Sequence, residues 1–306
     1  MSERDDTLVL GFAEYREAAQ RVAAAAGMRY AQVDIHTFPD GESRVRLPPA
    51  LPDHVVLCRS LDHANSKLIE LELAAATALA LGARRLTLVA PYLCYMRQDA
   101  AFQPGESVSQ RIIGELLARR FDTLVTVDPH LHRTHRLEEA VPVRRALALN
   151  AAQAMAAWVA AHRSDALLLG PDEESLQWVS AIAAPGSLDY GVGRKQRLGD
   201  HQVRVRLPEL SFQDRHVVLV DDVASTGSTL ADAARQLATR GPASISVLVS
   251  HALFVGNAVA RLREAGVGTI CSTDSIAHSS NQIRLDALLA EALTGEPAAA
   301  TPPRER

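Results

Sequence analysis

The chain has 306 residues, about two domains at the usual ~150 residues per core, and its 47% hydrophobic, 22% charged and 4% aromatic composition excludes a disordered chain or a small disulfide scaffold. Thirty-two basic side chains against 36 acidic ones leave a formal charge of -4, so no overall positive field draws in nucleic acid or an anionic membrane, and any anionic ligand must be met locally. Cys58, Cys94 and Cys271 are odd in number and far from ligand spacing, which points away from disulfides and structural zinc and toward a reducing cytoplasm. The N-terminus is charged over residues 1–6 with no apolar core behind it, and no stretch reads as a membrane span.

Along the chain, Phe38-Pro-Asp-Gly-Glu42 comes first as a distinctive string, and Asp40-Gly41 alone would serve as a hairpin turn. Apolar runs then alternate with helical patterns: a helix over 66–81 closed by Gly82, a strand at 86–90, a helix over 109–120 and a strand at 123–127. Pro91-Tyr-Leu-Cys-Tyr-Met-Arg-Gln-Asp99 follows one buried strand, and its Arg97 offers planar, permanently charged donors to a polyphosphate. Asp128, His130, His132 and His135 cluster after another strand, without the cysteines or spacing of a zinc site. Magnesium fits better, since it takes few protein ligands when nucleotide phosphates supply the rest. Gly191-Val-Gly-Arg-Lys-Gln-Arg197 combines two glycines with three cations and reads as a mobile basic loop before an edge strand at 202–207. A strand at 217–220 leads to a helix over 228–240 closed by Gly241, and the Pro- and Ala-rich residues 294–306 read as a flexible tail. This alternation is that of parallel α/β layers.

The chain also echoes itself. His54-Val-Val-Leu57 recurs as His216-Val-Val-Leu219, and at the same offset Ser66 and Leu68 recur as Ser228 and Leu230. The echo predicts two similar α/β domains, bounded as 1–147 and 148–293. A separate expectation is that the final helix packs back on the first domain. The copies differ where chemistry would sit: the first strand runs into Arg59-Ser60, the second into Asp221-Asp222.

That second strand opens the most informative run, Val217-Val-Leu-Val-Asp-Asp-Val-Ala-Ser-Thr-Gly-Ser-Thr229. Its small-residue turn can aim backbone N–H groups and the Thr226, Ser228 and Thr229 hydroxyls at a phosphate, helped by the helix dipole, while Asp221 and Asp222 accept from vicinal hydroxyls. No Walker A run and no GxGxxG follows any strand.

The run resembles the phosphoribosyl-diphosphate binding loop of type I phosphoribosyltransferases and of ribose-phosphate pyrophosphokinases, and its resemblance covers Asp221, Asp222, Ser225, Thr226, Gly227, Ser228 and Thr229. Three further segments resemble the pyrophosphokinases alone, and with the loop they span about residues 7–293 in that family's order. Residues 38–42, followed by Arg44-Val-Arg-Leu47, are similar to the segment that meets the nucleotide from a neighbouring subunit, which implies roles for Phe38, Asp40, Gly41 and Glu42. Arg97 and Gln98 fall on an ATP-contacting pair, and Thr126-Val-Asp-Pro-His130 is similar to a strand ending in a metal-site histidine. The matching metal carboxylate is Asp172, after Leu167-Leu-Leu-Gly-Pro171; Lys195 falls on the catalytic lysine and Arg197 on an arginine that helps hold the transferred phosphates.

The resemblance therefore implies two phosphoribosyltransferase-like domains, each a mainly parallel sheet flanked by helices, in a homo-oligomer with shared active sites. It implies a Mg²⁺-dependent transfer of diphosphate from ATP to ribose 5-phosphate, with a phosphoribosyltransferase or a noncatalytic regulatory homologue as alternatives. Three departures stand out: Glu173-Glu-Ser175 replaces a residue followed by two glycines, Ser225 stands where a third acid is usual, and Ala100 where an arginine is.

Overall fold

The structure is a computed structural model that describes residues 6–197 and 203–295, so residues 296–306 of the expected tail and the start of the expected 202–207 strand lie outside it. The chain divides into two compact units, one built from residues up to Leu149 together with those from Leu285, the other from Asn150–Arg284.

In the first unit the elements run β1 (Thr7–Gly11), α1 (Arg16–Ala26), β2 (Arg29–Gln32), β3 (Asp34–Thr37), β4 (Ser43–Arg46), β5 (His54–Cys58), α2 (Ala64–Ala80) and β6 (Arg85–Val89). They continue through α3 (Ser109–Ala118), β7 (Thr123–Val127), the single turn α4 (Leu137–Ala140) and β8 (Arg145–Leu149). Six strands form a sheet in the order β2-β1-β5-β6-β7-β8, every pair parallel, and β3 with β4 makes a separate antiparallel hairpin. Every residue of β1, β5 and β7 is buried, which is why these strands are continuous apolar runs rather than alternating ones. Leu10, Phe12, Leu57, Leu71, Leu88 and Leu124 are among the side chains of the core.

In the second unit the order is α5 (Ala152–His162), β9 (Leu167–Gly170), α6 (Leu176–Ala183), β10 (Tyr190–Val192), β11 (Arg194–Arg197), β12 (Val203–Arg206) and β13 (His216–Ala224). Then come α7 (Ser228–Ala238), β14 (Ser244–Ala252), α8 (Ala258–Glu264), β15 (Thr269–Thr273) and β16 (Asn281–Ile283). Its sheet runs β10-β9-β13-β14-β15-β16, again wholly parallel, beside the antiparallel hairpin β11-β12. The two sheets thus share one topology, hairpin included, and β5 and β13 hold the same position in it. The last helix, α9 (Asp286–Thr294), belongs to the first unit, where it packs on α1 and pairs Asp286 with Arg21 at 3.7 Å.

Two expectations change. Residues 191–197 are not a loop: they are strands β10 and β11, and Lys195 pairs through its backbone with Val205 of β12. Alternating β-branched residues across the hairpin, Val203 and Val205, favour the ladder over an open loop. The strand expected at 217–220 runs on to Ala224, so Asp221 and Asp222 lie on β13 itself; Val223 and Ala224 beyond them are buried, and the apolar packing continues past the acids. No helix among the described residues is long and apolar enough to cross a membrane.

His54, the first residue of the repeated string, is buried at the start of β5. An arginine can only donate, so the 2.8 Å contact from Arg85 Nη2 makes His54 Nδ1 an acceptor, and Nε2 carries the hydrogen that meets Thr87 Oγ1 at 2.9 Å. Burial first, and the Arg85 cation second, push the imidazole down to about 3 from its ordinary 6.5. The folded chain holds it neutral, so its contribution to stability is full above about pH 6.5 and is lost as the pH falls toward 3. Urea unfolding should lose up to about 1.4 kcal/mol per pH unit from this group across that window. In His54→Asn the profile should be flatter by that slope; an unchanged profile contradicts the assignment.

Candidate active site

Parallel strands all end on one edge, and the helices that follow begin there, so each unit gathers its helix N-termini and strand-end residues along one rim. In the second unit that rim carries β9 into Asp172 and β13 into residues 225–229.

Asp172 stands just past β9 and its Oδ1 accepts from the Glu174 N–H at 3.1 Å, an N-cap arrangement for the turn that follows. The Ser175 hydroxyl, fully buried, lies 3.3 Å from Asp172 Oδ1 and 3.4 Å from Asp221 Oδ1. One side chain therefore bridges the ends of two neighbouring strands, and it stands at one of the positions that depart from the glycine pattern. Asp221 Oδ1 also accepts from the Asp222 N–H at 3.1 Å, and the buried Asp222 turns its own Oδ1 to the Val223 N–H at 2.7 Å. Burial above all, then the carboxylates of Asp222 and Asp172, hold the Asp221 carboxyl well above the usual range. Among the described residues no three His, Cys, Asp or Glu side chains converge on a point that could hold a metal ion. Glu173 faces outward and pairs with Arg194 at 3.5 Å across solvent-exposed side chains, so the added acid is partly offset by a cation of β11.

Beyond the acids, Gly227 takes φ 67°, the left-handed turn that only glycine adopts without strain, and α7 begins at the next residue. No side chain of the described residues caps α7, so its first N–H groups and dipole face the rim. Thr226 Oγ1 and Ser228 Oγ lie 3.1 Å apart, and Arg261 of α8 reaches the same spot. Thr226 and Ser228 are exposed, Ser225 and Thr229 half-buried, and the Phe254 and Val255 N–H groups fix the turn from below through the carbonyls of Ala224 and Ser225 at 2.8 and 3.0 Å. For Lys195 and Arg197 only the backbone is described, on β11.

The first unit holds the other candidate residues. Phe38, Asp40, Gly41 and Glu42 form the exposed turn of the β3–β4 hairpin, closed by Phe38 N–H to Glu42 O at 2.8 Å and by Glu42 N–H to Asp40 Oδ1 at 3.1 Å, with Gly41 at φ 91°. The hairpin-turn reading of Asp40-Gly41 is correct, and the turn presents Phe38, 41% exposed, to the surroundings. Gln98 takes the Ser109 hydroxyl, Arg97 is exposed, and Asp99 binds the loop after β7 by accepting from Arg133 N–H at 2.8 Å and Arg133 Nη1 at 2.7 Å. Desolvation raises the Asp99 pKa, but the two Arg133 bonds and its charge outweigh it, and the carboxyl ends below its ordinary value. The bonds of Asp99 in this way tie the segment that follows Gln98 to the loop after β7 within the first unit.

Where β13 runs into Asp221 and Asp222, the corresponding β5 runs into Arg59 and Ser60, and both are buried. The Arg59 guanidinium, 3% exposed, donates to Glu14 Oε1 at 2.7 Å, Glu70 Oε2 at 2.5 Å and the Lys67 carbonyl at 3.0 Å, with the Phe12 ring 4.2 Å away. Lys67, at the position of Thr229 in the other copy, donates to Asp62 at 2.7 Å and to the Ser60 carbonyl. The first copy is filled by its own charges. Glu70 also accepts from Ser43 Oγ at 2.9 Å, so this network anchors the hairpin that carries residues 38–42.

Sequence reasoning did not find Arg261, Arg133 or the bridging role of Ser175. Each acts across a distance in sequence that no motif spans, although Ser175 was visible as a departure from a glycine pattern.

Comparison with known proteins follows the same lines. Residues 7–120 match the family model of the N-terminal domain of ribose phosphate pyrophosphokinase, and residues 144–274 match the phosphoribosyl transferase domain. A ribose-phosphate pyrophosphokinase of Methanopyrus kandleri is 32% identical over 289 residues, covering 94% of this chain and 98% of its own. One from Saccharolobus solfataricus is 35% identical over 251 residues, covering 80% and 84%. Among solved structures, phosphoribosylpyrophosphate synthetase from Mycobacterium smegmatis matches with a TM-score of 0.79 over 94% of this chain and 98% of its own, at 20% identity, which shows the shared fold.

Removing Glu70 would leave Arg59 short of a counter-charge in a buried place. Glu70→Leu should cost about 3–5 kcal/mol of stability in urea unfolding and speed amide exchange over residues 43–46. A variant as stable as the parent would show that the network does not anchor the hairpin.

Proposed function

The chain belongs to the ribose-phosphate pyrophosphokinase family, and we propose on that footing a division of its reaction between the two units. The reaction moves the β,γ-diphosphoryl group of ATP to the anomeric hydroxyl of ribose 5-phosphate, giving 5-phosphoribosyl 1-diphosphate and AMP. The second unit holds the acceptor and the first holds the nucleotide. The observation that carries the assignment is the path of β13, which bears two carboxylates and then runs on into a glycine turn and an uncapped helix N-terminus. Phosphate needs donors and a sugar's vicinal hydroxyls need acceptors, and this one stretch supplies both, the acceptors first and the donors after them.

In this reading the α7 N–H groups and the hydroxyls of Thr226, Ser228 and Thr229 hold the 5-phosphate, while Asp221 and Asp222 accept from the ribose hydroxyls and orient the anomeric oxygen. Arg97 and Gln98 meet ATP, and Phe38, Asp40, Gly41 and Glu42 meet the base and ribose of a nucleotide held by a neighbouring subunit. The last point makes the protein a homo-oligomer with shared sites; the exposed hairpin turn supports it. Asp172 of the second unit and His130 of the first are the residues that the family resemblance would give to Mg²⁺. Bound magnesium would neutralise phosphate oxygens and help align the β-phosphorus. Lys195 and Arg197 stabilise the charge that builds on the transferred diphosphate and on the departing AMP, so catalysis rests on position and electrostatics.

Three outcomes follow. Lys195→Ala should lower kcat at least about a hundredfold with little change in melting temperature, the scale of losing a principal electrostatic donor; near-normal turnover would remove Lys195 from catalysis. Asp221→Asn should weaken ribose 5-phosphate about tenfold while sparing ATP, read by calorimetry; equal losses for both ligands would point to a metal or folding defect instead. Mixing inactive Asp40→Ala and Lys195→Ala chains should restore part of the activity once subunits exchange, and a mixture that stays inactive after exchange is confirmed by mass would put both residues in one chain's site.

A further inference from the structure

Arg261 lies on α8, far in sequence from the sugar-phosphate loop, yet its guanidinium reaches the loop's centre. Nη1 donates to the Thr226 carbonyl at 2.9 Å and to Ser228 Oγ at 2.8 Å, and Nη2 is steadied by Asn257 Oδ1 at 3.1 Å. A guanidinium has five donors and no acceptor, so the direction of each bond is certain. Both groups it binds are acceptors of the loop. The Thr226 carbonyl is one to which a neighbouring hydroxyl would otherwise turn its proton, as Ser and Thr side chains commonly do toward nearby backbone. With that carbonyl taken, and a lone pair of Ser228 filled, the two hydroxyls at 3.1 Å have one hydrogen for each other and one left to point outward. The loop then turns donors toward a visitor, a hydroxyl proton and the first N–H groups of α7, with the positive charge of Arg261 behind them.

We infer that Arg261 is a positioning residue that engages the Thr226 carbonyl and Ser228 Oγ, and so biases the hydroxyl protons of the loop and its local charge toward an anionic phosphate. The inference rests on the reading of residues 225–229 as the sugar-phosphate loop and adds to it a source of selectivity. It acts on the 5-phosphate of the acceptor and not on the nucleotide.

Calorimetric titration with ribose 5-phosphate, and separately with ATP, tests this in the parent chain, Arg261→Met, Arg261→Lys, Ser228→Ala and the Arg261→Met/Ser228→Ala pair, together with steady-state kinetics and melting temperatures. Arg261→Met should bind ribose 5-phosphate at least about tenfold more weakly and raise its KM to match. ATP affinity, and kcat at saturating sugar phosphate, should stay within about twofold. Lysine, with a point charge and no fork, should restore only part of the loss. Because Arg261 acts through Ser228, its loss should be smaller when Ser228 is already alanine. Unchanged ribose 5-phosphate affinity in Arg261→Met overturns the inference, as does an equal loss for both ligands or a cost that simply adds to that of Ser228→Ala. A parent chain that does not bind ribose 5-phosphate overturns the loop assignment and this inference with it.

Discussion

Everything in the candidate site depends on strand direction. A wholly parallel sheet puts every strand's carboxyl end and every following helix's amino end on the same edge, so backbone N–H groups and helix dipoles are concentrated there before any side chain is chosen. Both sheets of this chain obey that constraint, in one topology used twice. What a unit can do then depends on the few residues placed at the ends of β5 or β13 and at the start of the next helix.

The two copies resolve the constraint in opposite ways. At the end of β13, acids and small hydroxyl residues leave a polar edge with the Thr226 and Ser228 hydroxyls exposed, and burial first, then the carboxylates of Asp222 and Asp172, raises the pKa of Asp221. At the end of β5, Arg59 and Lys67 occupy the equivalent places and are neutralised by Glu14, Asp62 and Glu70. Charges buried this deeply must be paired, because an unpaired one would cost several kcal/mol. A paired cluster has no remaining demand for an anionic ligand, so the first copy becomes an anchor: Glu70 passes from Arg59 to Ser43 and holds the hairpin of residues 38–42. The same strand end of one topology thus carries a polar edge in the second unit and a paired-charge brace in the first.

Much of this was legible in the sequence because it is local. The buried strands are continuous apolar runs, Gly82 and Gly241 follow their helices with positive φ, and the contrast between Arg59-Ser60 and Asp221-Asp222 is plain once the His-Val-Val-Leu echo is noticed. The basic segment around Lys195 was misread as a loop because its glycines and charges resemble turn chemistry, whereas the ladder with Val203 and Val205 depends on a partner strand that local composition does not announce. Arg261 was invisible for a different reason. An arginine on an amphipathic helix is ordinary, and only the packing of α8 against α7 and the turn before it gives its guanidinium a task.

The central claim is that this edge of the second unit presents the sugar's anomeric oxygen to the β-phosphorus of ATP. The most direct measurement is to incubate the purified chain with Mg²⁺, ATP and ribose 5-phosphate and separate the nucleotides over time. The account predicts AMP formed in step with ATP loss, only when ribose 5-phosphate is present. ADP as the product, or ATP left intact while both ligands bind, would contradict it.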